Sequence, residues 1–116
     1  LGVTVLTSIS NLSLKKIGHT KPIKDLVKKQ AAMVKEAGLD GIVCSGHEAK
    51  ILRNICGKME IVTPGIRLKG DNTSDQKRVM TPKDAFLNGA SAIVIGRSIT
   101  KGNIKKNIQK LIKSLD

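Results

Sequence analysis

Two similar stretches of sequence decide the fold class: residues 37–45 read AGLDGIVCS, and residues 88–96 read NGASAIVIG. In each stretch, a glycine of the kind that ends helices precedes a short, continuously apolar run. Such runs are typical of strands buried on both faces of a parallel sheet. Two further runs of this kind occur, GVTVLT and EIVTP, so the sequence predicts four strands, at residues 2–7, 40–45, 60–64 and 91–96.

Segments with helical spacing separate the predicted strands. The first opens at Pro22, which we place at the first helical position, and stops at Gly38. Another begins at the capping pair Thr81-Pro82 and ends before Gly89. The four predicted helices span residues 22–37, 46–55, 81–88 and 103–115. In the last helix we expect an inner apolar stripe formed by Ile104, Ile108, Leu111, Ile112 and Leu115.

The strict alternation of strands and helices indicates an α/β fold with a parallel sheet, either an open doubly wound sheet or a barrel. Four βα units in 116 residues favour half of a TIM (β/α)8 barrel, because eight such units would reach roughly 250 residues. A free half barrel would leave two unpaired edges and an uncovered inner face. We therefore expect a complementing half-barrel chain or a second copy of this one. A strand so close to Leu1 predicts that the chain starts in the middle of a fold.

Composition limits the possible partners. The net charge of +12 would suit a polyanion, but the lysines are dispersed and the single aromatic residue, Phe86, leaves nothing to stack on bases. We therefore expect no nucleic-acid partner. With neither a signal peptide nor a long apolar run, the sequence also predicts a cytoplasmic chain with no membrane partner. Its two cysteines form no disulfide or metal pattern, and Cys44 is expected to be a core residue.

The arginines point to an anion site. Three of the four, Arg67, Arg78 and Arg97, fall within residues 67–97, and the planar guanidinium suits phosphate or carboxylate better than lysine does. Phosphate sites of TIM barrels are frequently built from the loops after the seventh and eighth strands. The long loop after the third predicted strand and the Gly-Arg after the fourth fit that rule. Asp71 and Asp75 in the long loop are expected to serve turn chemistry.

The segment VTPGIR…GDNTSDQKRVMTP…GASAIVIGRSIT closely resembles bacterial-type orotidine 5′-phosphate decarboxylases. The blocks VTVLTS and AGLDGIVCSGHEA resemble the fifth and sixth strands of the same family. The resemblance spans essentially all 116 residues. It implies that residues 1–116 form a single C-terminal half-barrel segment, with strands five to eight of the barrel.

The resemblance also implies a nucleotide ligand, orotidine or uridine 5′-monophosphate (OMP or UMP), held without metal or organic cofactor. By position, Arg97 would pair with the 5′-phosphate and Gly96 would supply main-chain donors beside it. Gln76 would reach over the phosphate and the pyrimidine. Arg67 would contact the ligand or brace the loop, and Thr7 would lie near the pyrimidine ring.

The reacting centre of that family is an Asp-x-Lys-x-x-Asp array, and no such pattern occurs in this sequence. Lys24-Asp25 and Lys83-Asp84 lie at helix starts and are expected to be surface charges. The resemblance therefore implies an enzyme of pyrimidine biosynthesis whose present chain contains no catalytic residue and is inactive alone. Two alternatives stay open: a non-enzymatic half barrel that self-associates and at most binds phosphate, and a relative that acts on a sugar phosphate.

Overall fold

The computed structural model describes residues 1–72 and 75–116. Short strands and helices alternate along the chain, as the sequence predicts. In order, the elements are β1 (Gly2–Val3), α1 (Asn11–Lys16), α2 (Ile23–Glu36), β2 (Gly41–Val43), α3 (Gly46–Cys56), β3 (Glu60–Thr63), α4 (Pro82–Leu87), β4 (Ala92–Ile93), α5 (Arg97–Thr100) and α6 (Ile104–Leu115). The helices α1 and α5 were not predicted, because six and four residues are too few to show a helical period.

The four strands form one parallel sheet in the order β1-β2-β3-β4. Strands that are consecutive in the chain are therefore neighbours in space, with a helical crossover in each connection. A doubly wound sheet would reverse its strand order at a switch point. The uninterrupted order is that of a segment of a (β/α)8 barrel, so the barrel alternative is confirmed.

One face of the sheet is covered by helices and the other is open. On the covered face, Ile42 and Ile61 are fully buried against α2 and α3. On the opposite face, the register places Val3 beside Val43 and Val43 beside Val62, and Val3 is 62% exposed. This open surface, formed by the side chains of Val3, Val43, Val62 and Ala92, is here called the inner face.

The strands are shorter than predicted, especially at the two edges. β1 and β4 have two residues each, whereas runs of six apolar residues were assigned to them. Main-chain hydrogen bonds extend the pairing slightly, from Thr4 N to Val43 O (3.1 Å) and from Val94 N to Thr63 O (2.9 Å). Within the described sheet each edge strand pairs on one side, so half of its main-chain groups lack a partner that would keep it extended.

Helix ends follow the capping signals closely. Thr81 caps α4 by accepting a hydrogen bond from Asp84 N, and Pro82 takes the first helical position, as predicted. Gly38 follows α2 with φ +68, a left-handed conformation typical of a residue just past a helix. Pro22 is the N-cap of α2, with extended ψ, so its predicted place inside the helix was wrong by one position.

The expectation of an inner apolar stripe on α6 is wrong for this chain. None of the residues of α6 is buried, and the side chains of Ile104, Ile108, Ile112 and Leu115 are between 40% and 58% exposed. The helix is amphipathic, but it lies beyond β4, where the sheet ends. It contacts α4 and α5, which cover its apolar side only in part.

The core is aliphatic and lies between the sheet and α1, α2 and α3. Cys44 belongs to it, as predicted, and burial raises the pKa of its thiol to about 12. The thiol is therefore protonated at neutral pH and is not a nucleophile. Among the described residues, no helix is long and apolar enough to cross a membrane.

Candidate functional site

All five residues that the sequence singles out for ligand contact line one cleft at the carboxyl edge of the sheet. The cleft has a volume of about 210 Å³, and Pro64, Gly65 and Val94 complete its lining. Thr7 follows β1, Arg67 follows β3, and Gly96 and Arg97 follow β4. Gln76 comes from the loop between β3 and α4 (residues 64–81, the β3–α4 loop). That these residues bind a substrate stays a prediction, whereas their meeting in one cleft is a structural observation.

Thr7 and Gln76 form the wall of the cleft nearest to β1. The Thr7 side chain is buried, and its hydroxyl donates a hydrogen bond to the Gln76 side-chain oxygen. The main-chain carbonyl of Thr7 also accepts from the N–H groups of Lys77 and Arg78, each at 3.2 Å. The β3–α4 loop is thereby tied to the end of β1, and the amide group of Gln76 is held at the cleft.

Arg97 also lines the cleft and pairs with an acid. Its Nη2 is 2.5 Å from Oδ1 of Asp75, and both side chains are about half exposed. Hydrogen bonding from Arg97 lowers the pKa of the Asp75 carboxyl below its ordinary value. The expectation that Asp75 serves only a turn is therefore incomplete, because it also holds the guanidinium assigned to phosphate.

Arg67 is almost fully buried at the floor of the cleft. Its main-chain N–H donates to Met80 O (3.0 Å), and its Nη1 donates to Ile66 O (2.9 Å). Its Nε has no hydrogen-bond partner among the described residues. A second cavity, of about 170 Å³, adjoins the first and is also lined by Arg67 and Arg97, with Lys101 as a third cation and Asp71 as an acid. The concentration of positive charge favours an anionic ligand.

Gly96 leaves space beside the guanidinium. It is the N-cap of α5, and a Cβ added to it would meet no atom within 4 Å. The open space fits the expectation that an anion approaches the main chain at this point.

Sequence reasoning assigned no role to Arg78 and Glu48, which form a buried ion pair next to the cleft. Two features of the sequence could have drawn attention to these residues. Arg78 belongs to the arginine cluster, and the spacing Ser45-x-x-Glu48 has the form of a capping box. Neither signal shows that the two side chains meet, since they lie on different elements.

The remaining charged candidates behave as surface groups. Asp25 pairs with Lys28 at 3.9 Å within α2, and Lys83 donates to the main-chain oxygen of Asp116 at 2.8 Å. His19 is exposed, and His47 Nε2 lies 3.1 Å from Val79 O. In the part of the chain that the structure describes, no three His, Cys, Asp or Glu side chains are grouped as a metal site would need.

The fold defines a segment of a (β/α)8-barrel protein, and comparison with known proteins identifies the family. The chain belongs to the orotidine 5′-phosphate decarboxylase / HUMPS family, whose model matches residues 1–110. It is 44% identical over 115 residues to the orotidine 5′-phosphate decarboxylase of Actinobacillus pleuropneumoniae serotype 5b (strain L20), covering 98% of this chain and 50% of that protein. It is 49% identical over 102 residues to that of Aliivibrio salmonicida (strain LFI1238), covering 87% of this chain and 44% of the relative.

Solved structures agree. The crystal structure of orotidine 5′-phosphate decarboxylase from Lactobacillus acidophilus superposes with a TM-score of 0.75 at 37% identity, over 98% of this chain and 47% of that one. The enzyme from Pyrococcus horikoshii OT3, at 20% identity and a TM-score of 0.60, shares the fold over 90% of this chain and 54% of that one. The chain spans about half the length of the curated relatives it matches. The predictions of this family and of about half a barrel are confirmed.

Proposed function

We propose that this chain is a single half-barrel segment that supplies the phosphate- and pyrimidine-contacting half of an orotidine 5′-phosphate decarboxylase site. The reaction would convert OMP to UMP, a step of pyrimidine biosynthesis, once a second half barrel brings the Asp-x-Lys-x-x-Asp array. The observation that carries the proposal is the meeting of Thr7, Arg67, Gln76, Gly96 and Arg97 in one cleft.

The cleft suits a nucleotide monophosphate because its two ends differ in chemistry. At one end, Arg97 offers a guanidinium fork that matches phosphate oxygens, with open space at Gly96 beside it. At the other end, Thr7 and Gln76 offer a hydroxyl and an amide, which can hydrogen-bond the edge of a pyrimidine. Phosphate binding far from the reacting carbon can then orient the ring, as differential transition-state binding requires.

The cleft lacks a group that could complete decarboxylation. Loss of carbon dioxide leaves an electron pair on the ring carbon, and a proton must be delivered there. Among the residues that the structure describes, the only ionisable ones that line the cleft are Arg67 and Arg97, and arginine stays protonated in proteins. We therefore expect the proton donor to come from the second half barrel, and the chain to be inactive alone.

The shape of the chain supports a need for that second half. The molecule measures 41 × 34 × 18 Å, a plate one sheet and one helix layer thick. Its accessible surface is 7273 Å², whereas a folded monomer of 12.4 kDa exposes roughly 6,100 Å². The excess of about 1,200 Å² is larger than the roughly 800 Å² that each partner contributes to a standard interface.

Calorimetric titration with UMP tests the proposal. We expect saturable binding to the unsubstituted chain, and binding about tenfold to a hundredfold weaker for Arg97→Ala, because a charge-assisted hydrogen bond is lost. Lys58→Ala is the control, since Lys58 is exposed and does not line the cleft. It removes one positive charge without touching the cleft, so its affinity should equal that of the unsubstituted chain.

Titration with ribose 5-phosphate, and titration after addition of an N-terminal half barrel, separate the decarboxylase from the two alternatives. Ribose 5-phosphate carries the phosphate but no pyrimidine, and we expect it to bind more weakly than UMP. Equal affinities would favour a sugar-phosphate relative. A folded chain that binds neither compound, alone or with an added N-terminal half barrel, would contradict the proposal and leave a non-enzymatic scaffold.

A further inference from the structure

Arg78 lies at the junction between the β3–α4 loop and the first two strands. Its Nη2 donates to the main-chain carbonyls of Val5 (3.0 Å) and Leu6 (3.2 Å). Its Nη1 donates to the hydroxyl of Ser45 (3.3 Å) and to the carboxylate of Glu48. The side chains of Arg78 and Glu48 are 13% and 8% exposed. A planar fork that meets four acceptors at once is a geometry that lysine cannot supply.

Glu48 does not form the capping box that the local sequence predicts. In a capping box, Ser45 and Glu48 would each bind the other's main-chain N–H at the start of α3. Here Ser45 makes no side-chain capping bond. Its hydroxyl donates to the Glu48 carboxylate, which also accepts from Arg78. At the start of α3, Ser45 and Glu48 thus contact a distant loop instead of forming the local cap that their sequence predicts. Such departures from a local sequence rule are typical of functional positions.

The hydrogen bonds of Arg78 and its neighbours also fix residues that line the cleft. The N–H groups of Lys77 and Arg78 both donate to Thr7 O, and the preceding residue, Gln76, accepts from the Thr7 hydroxyl. A Cβ on Gly65 would lie only 2.9 Å from the carbonyl oxygen of Arg78, so the two ends of the loop are closely packed here. The place of the Gln76 amide therefore follows from the place of Arg78.

We propose that Arg78 is a positioning residue that holds Gln76 over the cleft, with Glu48 as its buried counter-ion. Arg78 does not itself line the cleft, and it acts through the contact between Thr7 and Gln76. The inference rests on the proposed function in one respect, namely that Gln76 contacts the ligand. The positioning itself is a property of the unliganded chain and can be measured without any ligand.

The experiment compares Arg78→Lys and Glu48→Gln with the unsubstituted chain. NMR-detected hydrogen exchange reports the amides at positions 77 and 78, and the amide of Cys44, bonded to Val62 O, reports the core. In Arg78→Lys we expect exchange at 77 and 78 to accelerate about tenfold or more, with the core unchanged and UMP affinity weakened to a similar degree. Glu48→Gln should shift both readouts in the same direction by less.

Lys69→Ala is the matched control, because Lys69 is an exposed cation of the same loop; we expect it to change neither readout. Unchanged exchange at positions 77 and 78 in Arg78→Lys would overturn the proposal. Acceleration that includes Cys44 would also overturn it, since Arg78 would then be a general stabiliser. Faster loop exchange with unaltered UMP affinity would overturn the link to the ligand.

A chain that binds no UMP, even with an added N-terminal half barrel, would defeat the proposed function without deciding this inference. In that event the nuclear Overhauser contact between Thr7 and the Gln76 amide decides it. Loss of that contact in Arg78→Lys, with the core amides unchanged, supports the positioning role. Its retention refutes the role.

Discussion

The ion pair between Arg97 and Asp75 limits what the cleft can bind, because a phosphate must share or displace the acid. Asp75→Asn is therefore expected to tighten UMP binding about two- to fivefold, a modest change because exposed ion pairs are weak. Since the pKa of Asp75 is lowered, the pair persists through the neutral range and is lost only as the pH falls through that lowered value. Calorimetry at pH 7 measures the affinity.

The control for this prediction is Asp25→Asn, which removes an acid from the distant helix α2 and should leave the affinity unchanged. Weaker binding by Asp75→Asn would contradict the competition. It would indicate that Asp75 orients the guanidinium for the phosphate.

The resemblance to the decarboxylase family singled out the five residues of the cleft. The sheet geometry alone pointed only to the long loop after β3 and to Gly96-Arg97, because the carboxyl ends of parallel strands share one edge of the sheet. The ion-pair partners of the arginines could not be predicted from the sequence. Arg78 and Glu48 lie 30 positions apart, and Arg97 and Asp75 lie 22 apart. Which acid meets which arginine depends on how the β3–α4 loop returns to the sheet, and no spacing rule describes that path.

Among the structural elements, the β3–α4 loop has a glycine at its base that another residue could not replace without strain. Gly65 has φ +75, and a Cβ there would lie 2.9 Å from Arg78 O and 3.1 Å from Thr7 Cγ2. Gly65→Ala is expected to lower the free energy of unfolding by about 1–3 kcal/mol and to weaken UMP binding, because the loop must move away from Thr7. Urea denaturation and calorimetry measure the two effects.

Gly70→Ala provides a matched control in the same loop. Gly70 also has positive φ (+90), but a Cβ added there would meet no atom within 4 Å. It should show the conformational cost alone and leave UMP affinity unchanged. Equal effects of the two substitutions on affinity would mean that the close approach at Gly65 does not position the loop.

The predictability of the elements follows from whether their signals are local. The start of α4 was predicted to the residue, because the cap involves only Thr81 and Asp84. The lengths of β1 and β4 were overestimated, since apolar composition reports burial and not the number of neighbouring strands. The burial of α6 was predicted wrongly for the same reason: its sequence shows an apolar stripe, but α4 and α5 cover that stripe only in part.

For the molecule as a whole, an open apolar face is combined with a strong positive charge. The inner face and the apolar side of α6 favour association, whereas a net charge of +12 makes two copies repel each other. We therefore expect a complementing half barrel to be a better partner than a second copy. The isolated chain is nevertheless expected to self-associate, more strongly at high salt because salt screens the repulsion.

Val3→Asp tests whether the inner face drives this association. Val3 is 62% exposed, so a charge there should change the stability of the isolated chain by within about 0.5 kcal/mol. In an assembly that buries the inner face, the same charge would cost several kcal/mol. Light scattering should therefore show oligomers for the unsubstituted chain and a monomer for Val3→Asp. The control, Met33→Glu on the exposed side of α2, should still form oligomers. A compact, cooperatively folded monomer at every salt concentration for the unsubstituted chain would refute the prediction.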